Sequence, residues 1–485
     1  PAAPLAHYLG ADVRVADGVD PSLRAAGKRI DLGTGRTYER RVANLLRRTF
    51  RLDCLVRTAG PHDAAVREAS LLDELPIDAE ALYDASIAER LLAYRGVDTA
   101  VLGASGQPTA PSRDGTATDL PEWHLSLYVE PSYEHVRCLP HVLDDVPQLF
   151  TPRSSPLSDE DRLSSSLSSF YRAGRAAPEP VQLRDPELGP SRYHGWLADG
   201  VAMDTFKALP EAYENRSLYR ERSDGPISIV AVLNESEMSE EHSRVAEIYR
   251  RRAERLDIDI DVRESLTTDE LARLIERRHD LLHFVGHCEP SGLRCPDGTL
   301  SMSSVDRSRV QTFFLNACGS YEEGKELVRK GSVAGAVTFE KVLDSHAAKV
   351  GATFARLVAH GYAIERALAL ARSRVIMGKD YAVVGDGTHV LTQTETVVGS
   401  EAELVRDGDE FTMTYGMLSP SLAGGRNFIN VDRDCPPVLV GNEWELDMNG
   451  SEVVKFLSRG EFPVVYRGDI HWCTELAEEL RAGDR

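Results

Sequence analysis

At 485 residues the chain is too long for one ordinary core, so about two to four domains are expected. Its 42% hydrophobic and 27% charged residues describe a soluble globular protein, and no apolar run approaches the roughly 20 residues of a membrane span. With 77 Asp and Glu against 56 Lys and Arg, the net charge of −21 argues against general nucleic-acid binding. Only eight of the basic residues are lysines. High acid content with scarce lysine reads as a protein of a salt-loving microbe, where salt screens self-repulsion; a high-GC genome gives the same bias. Seven scattered cysteines suit a reducing cytoplasm better than a disulfide framework. The first residues lack the basic and apolar regions of a signal peptide. They start as if mid-domain, so a processed or truncated product is expected.

Residues 1–150 read as a mixed α/β domain. Residues 40–55 have helical spacing, with Val42, Leu45, Leu46 and Phe50 on one face. Residues 71–92 read as further helices and 123–129 as a strand. Residues 151–190, rich in Ser, Pro and charge, read as a linker with one short helix over 159–171. It offers Arg172, Arg175 and Arg184 to a protease, so a cleavable activation segment and a passive linker are both open readings. Residues 191–225 connect it to the next unit.

Over 226–390, strands and helices alternate. Strands are expected at 226–233, 258–262, 281–285, 312–315, 333–339 and 381–384. Helices are expected at 239–256, 268–278, 322–330, 345–360 and 364–376. A small hairpin with Pro296-Asp297-Gly298 as its turn follows the third strand. This alternation predicts a mostly parallel sheet covered by helices. Residues 391–485 carry short alternating runs broken by Gly, Asn and Pro turns. They predict a β-rich domain, a sandwich or open barrel, closed by a helix over 474–481.

Two segments hold the chemistry. HFVGHC at 283–288 presents His287 where one buried strand ends, and FFLNACGS at 313–320 presents Cys318 where the next ends. Ligands collect at the carboxyl edge of such sheets. Cysteine attacks as its thiolate, which a neighbouring imidazole makes and stabilises. The backbone N–H groups of Cys288 and Cys318 are the expected oxyanion donors. Taken singly, Ala-Cys at a strand end is usually a buried small residue and Gly-His a turn; in this order within one α/β pattern they point to a catalytic dyad.

These segments resemble the CHAT-domain branch of the caspase-like clan CD cysteine peptidases, relatives of caspases and separases. That branch carries a strand ending His-Phe-x-Gly-His-Gly and a later one ending Leu-x-Ala-Cys, standing here as HFVGHC and FLNAC. AGAVTF from Ala334, AIERALALAR from Ala363 and the closing YAVVGDG are similar too. The resemblance covers residues 226–390. It implies a caspase-like fold, a His287–Cys318 dyad with no third catalytic residue, a protein or peptide substrate and a role in regulated proteolysis. The glycine usual after the histidine is Cys288 here. The alternative is an inactive scaffold of the same fold that binds partner proteins. The flanking domains are expected to regulate the site or recruit partners.

In caspase-like folds the segment after the strand following the nucleophile lines the pocket for the residue before the cleaved bond. Glu340 and Asp344 of TFEKVLDSH, with Asp386, are therefore pocket candidates favouring Arg or Lys, though each also reads as a solvated or capping acid. His283, His287, Cys288 and Cys295 are zinc-competent types, but CxxC pairs are absent, and neither a metal nor another cofactor is expected.

Overall fold

The computed structural model describes residues 2–14, 16, 18–61, 65–97, 124–128, 136–139, 183–189, 191–219, 226–234, 258–339, 344–373, 381–391 and 399–483. The expected helices over 159–171 and 239–256 lie outside them, as do Arg172 and Arg175. Arg184 is described, in a two-residue parallel pairing of Leu183–Arg184 with Val201–Ala202.

The fold is α/β, built on a large, mostly parallel sheet flanked by helices. Its strands, in chain order, are β1 (Leu125–Tyr128), β2 (Val136–Cys138), β3 (Tyr193–Trp196), β4 (Phe206–Lys207), β5 (Ile227–Leu233), β6 (Ile258–Glu264) and β7 (His279–Val285). A hairpin sheet of β8 (Cys288–Glu289), β9 (Gly292–Cys295) and β10 (Gly298–Leu300) follows, before β11 (Val310–Asn316), β12 (Ala334–Thr338) and β13 (Tyr381–Gly385) rejoin the large sheet. The large sheet has ten strands in the order β6-β5-β7-β11-β12-β13-β4-β3-β1-β2. The first five are parallel to one another. β13 then runs antiparallel to β12, and β4, β3 and β1 run parallel to β13, so the sheet has two parallel blocks with opposite carboxyl edges. Four of its strands thus come from residues before 226.

Strand sequences explain the layering. β11 is buried along its whole length, as a strand covered on both faces must be. Alternation sends Phe313 and Phe314 to opposite faces. Phe314 packs on Phe354 of helix α5 (Asp344–Ala359), ring centroids 4.8 Å apart. On the Phe313 side lies α4 (Tyr321–Lys330), whose Gly324 lets the helix approach Val337 and Phe313. Earlier helices include α1 (Gly35–Val56), α2 (Pro210–Leu218) and α3 (Thr268–Ile275), and α6 (Ile364–Ser373) follows α5.

The N-terminal helices form a second core around Leu46, Leu52 and Leu55. Fully buried Glu68 fastens them to the C-terminal region by accepting the Leu439 N–H at 3.1 Å and an amide N–H of Asn442.

The C-terminal region is β-rich but neither sandwich nor barrel. One mixed sheet is ordered β16-β15-β14-β17-β18, with β14 (Ser400–Asp407), β15 (Glu410–Met417), β16 (Glu443–Asn449), β17 (Pro463–Tyr466) and β18 (Asp469–Trp472). Two helices accompany it, α7 (Gly450–Leu457) and α8 (Cys473–Gly483). Helix α7 is unexpected from its Gly-Ser start; the Asn449/Glu452 capping box nucleates it. This sheet and α8 dock on α5 and α6 through Arg356, which pairs with Glu475 of α8 at 2.6 Å and lies over Trp472 of β18, and through Arg366 on Glu401 of β14.

Gly335 of β12 marks a tight point of the large sheet: a Cβ there would lie 2.2 Å from the buried Phe313 ring. Gly335→Ala is expected to cost about 1–3 kcal/mol in denaturant unfolding, the usual penalty of overpacking.

Candidate active site

β7 and β11 are adjacent and parallel, and their register pairs Phe284 with Leu315 and Val285 with Asn316. His287 and Cys318 each stand two residues beyond that last pair. Both therefore leave the same carboxyl edge from strands about 4.8 Å apart. The Gly286 N–H still bonds the Asn316 carbonyl at 3.3 Å, so the two strands part just before His287 and Cys318. Both side chains are half-buried at this edge.

The turn after β11 is locked from inside. Fully buried Ser320 donates its hydroxyl to the Leu315 carbonyl at 3.0 Å and accepts the Thr338 N–H at 3.2 Å. The Thr338 hydroxyl donates to the Ala317 carbonyl. Gly319 closes the turn with φ +75, a left-handed conformation that glycine adopts without strain. Helix α4 begins three residues after Cys318, its amino end towards the site.

The His287 side is held by the β8–β10 hairpin. The Arg294 N–H donates to the His287 carbonyl at 2.9 Å. Asn234, just past β5, donates its amide to the Leu266 carbonyl at 3.0 Å and the Arg294 carbonyl at 3.2 Å, and accepts the Leu266 N–H at 2.8 Å. Asp297 at the hairpin turn accepts the Thr268 N–H at the start of α3, at 2.8 Å. From the other side, Glu323 of α4 accepts the Met302 N–H and, at 3.4 Å, the Ser301 hydroxyl. The sequence reading found none of Asn234, Ser320, Glu323 and Thr338. Small polar residues beside strand ends were the available signal.

Two further thiols border the site. Burial first, then the charges of Glu323, Cys318 and Glu289, pushes the Cys288 thiol up to about 12. Burial, with Asp297 adding to it, pushes Cys295 up to about 11. Both are neutral at neutral pH, and therefore poor nucleophiles.

The other predicted residues divide. The segment after β12 starts at this edge: a Cβ on Gly319 would sit 3.9 Å from the Phe339 carbonyl oxygen, and the Phe339 and Tyr321 rings are 5.1 Å apart. Glu340 lies outside the described residues, and so does the Asp344 side chain, although Asp344 starts α5. Asp386 is not at this edge. Its N–H bonds the Val333 carbonyl beside the start of β12, about 20 Å along the strands from Cys318. There it is fully buried, pairing with Arg216 at 2.5 Å and accepting the Thr388 N–H at 3.0 Å. The direction of β13 explains the misplacement, because an antiparallel strand delivers its end to the opposite edge. Buried His283 lies in the sheet against the Phe314 ring, 4.9 Å between centroids. Among the described residues no three His, Cys, Asp or Glu side chains converge as metal ligands would. No described helix is long and apolar enough to cross a membrane.

No family model matches the sequence, and no curated protein matches it. Solved structures do show similarity. The Arg-specific cysteine proteinase gingipain R matches 56% of this chain over 80% of its own, with 9% identity and a TM-score of 0.34. The complex of the pro- and mature domains of Porphyromonas gingivalis RgpB matches 53% of this chain over 76% of its own, with 9% identity and a TM-score of 0.31. The Saccharomyces cerevisiae separase–securin complex matches 48% of this chain over 18% of its own, with 11% identity and a TM-score of 0.31.

Gly292 of the hairpin has φ +129, and a Cβ there would sit 2.3 Å from the Leu300 carbonyl. Gly292→Ala is expected to cost about 1–3 kcal/mol. Hydrogen exchange would read the effect as protection lost first over residues 288–300.

Proposed function

We propose that the protein is a cysteine endopeptidase in which His287 and Cys318 form the catalytic dyad. The observation that carries this reading is the shared exit of the two residues, each two positions past the Val285–Asn316 pair of adjacent parallel strands. The locked turn around Cys318 and the hairpin bonded to the His287 carbonyl support it, since a dyad needs both partners held.

In this mechanism the His287 imidazole takes the thiol proton of Cys318, and the thiolate attacks the scissile carbonyl carbon. The developing oxyanion is received by the backbone N–H groups of Cys288 and Cys318. His287 returns the proton to the leaving amine, and water, deprotonated by the same imidazole, hydrolyses the thioester. Cys288 stays a neutral thiol at the mouth of the site and does not compete as nucleophile. Glu340 and Asp344 remain the proposed source of a preference for Arg or Lys before the cleaved bond. A CHAT-type role in regulated proteolysis within the cytoplasm of a salt-loving cell, with the flanking regions recruiting a regulatory partner, completes the proposal.

The test is hydrolysis of a peptide library in low and in molar salt. The account expects cleavage after basic residues that falls by at least about 10³-fold in Cys318→Ala and in His287→Ala, with unchanged thermal midpoints. Cleavage that survives either substitution contradicts the dyad. A folded wild type without activity in either salt would favour the scaffold instead.

A further inference from the structure

We propose that Glu323 is a positioning residue that fixes the separation of His287 and Cys318 by tying the hairpin after the histidine to the helix after the cysteine. This rests on the dyad reading above.

Helix α4 departs from a local rule that other helices of the chain follow. Ser320 and Glu323 stand at the spacing of a capping box, in which the two side chains satisfy the first N–H groups of their own helix. Among the described residues three helices with this spacing close the box, through Ser86 and Glu89, Thr267 and Glu270, and Asn449 and Glu452. Ser320 makes no such cap. Its hydroxyl is committed to the Leu315 carbonyl and the Thr338 N–H, inside the turn that carries Cys318.

Glu323 is thereby released, and it points inward with only 8% of its surface exposed. Its carboxylate receives the N–H of fully buried Met302 and the hydroxyl of Ser301, the residues that leave the hairpin after Leu300. The bond therefore joins two units that each start beside one member of the dyad: the hairpin one residue after His287, the helix three residues after Cys318. Burial raises the Glu323 carboxyl above the ordinary carboxylate range, while the Met302 N–H and Ser301 hydroxyl oppose that rise. Burying a carboxyl group costs free energy that a solvent-facing capping box would avoid. The contact across the site is what the chain gains in exchange.

The experiment measures iodoacetamide alkylation of Cys318 by peptide mapping in the full chain, for wild type, Glu323→Gln and Glu323→Ala, each with and without His287→Ala. Thermal midpoints are recorded for all. Glutamine keeps both bonds, its oxygen accepting from Met302 and its amide donating to Ser301, so Glu323→Gln should stay within about threefold of wild type. Glu323→Ala should lose about tenfold of the His287-dependent rate, and adding His287→Ala should then cost little more, the non-additivity of a shared role. A folded Glu323→Ala that keeps the full His287-dependent rate, or losses that simply add, overturns the inference while leaving the dyad intact. If Glu323→Ala does not fold, Glu323→Asp, shorter by one methylene, is read in the same way. A wild type whose Cys318 reacts independently of His287 overturns the dyad reading and this inference with it.

Discussion

The parallel, in-register pairing of β7 with β11 is the constraint on which the candidate site depends. Side chains alternate along a strand, so a slip of one residue would turn the buried residues of one strand to the other face and move the ends from which His287 and Cys318 leave. Burial enforces the register. β11 is buried throughout and β7 from Leu281 to Val285, so a shifted pairing would misplace an entire apolar set, Phe313 and Phe314 included. The same packing that stabilises the sheet thus brings the ends of both strands, and with them His287 and Cys318, to one edge.

Around that alignment the structure adds polar clamps of a consistent kind. Asn234, Ser320, Thr338 and Glu323 all bind backbone groups at the ends of strands, where the ladder stops and N–H and C=O groups need other partners. Each therefore satisfies a buried main-chain group and fixes a loop with one interaction. Loops at the carboxyl edge of the first parallel block are tied down in this way, the kind of support that a site on loops needs.

The sequence made the central strands legible because apolar runs bounded by Gly and polar turns leave little choice. The segments read at 281–285 and 312–315 lie within His279–Val285 and Val310–Asn316. The hairpin turn at Pro296-Asp297 was equally clear. Other features were not. The sheet gains strands as short as Phe206–Lys207, too brief to show alternation. The antiparallel direction of β13 leaves no mark on YAVVG, and from it follows the far location of Asp386. Helix α7 was hidden by its Gly-Ser start. Glu323 was obscured most thoroughly, because Ser-Tyr-Glu-Glu reads as an ordinary helix start and its use elsewhere depends on Met302, 21 residues earlier.

The most direct test of this account is a crystal structure of the protein after reaction with a peptidyl electrophile. The account predicts one adduct, on the sulfur of Cys318, with the His287 imidazole within hydrogen-bonding distance of the new bond or its leaving group. An adduct on Cys288 or Cys295 instead, or a modified Cys318 with His287 turned away on the other face of the sheet, would contradict it.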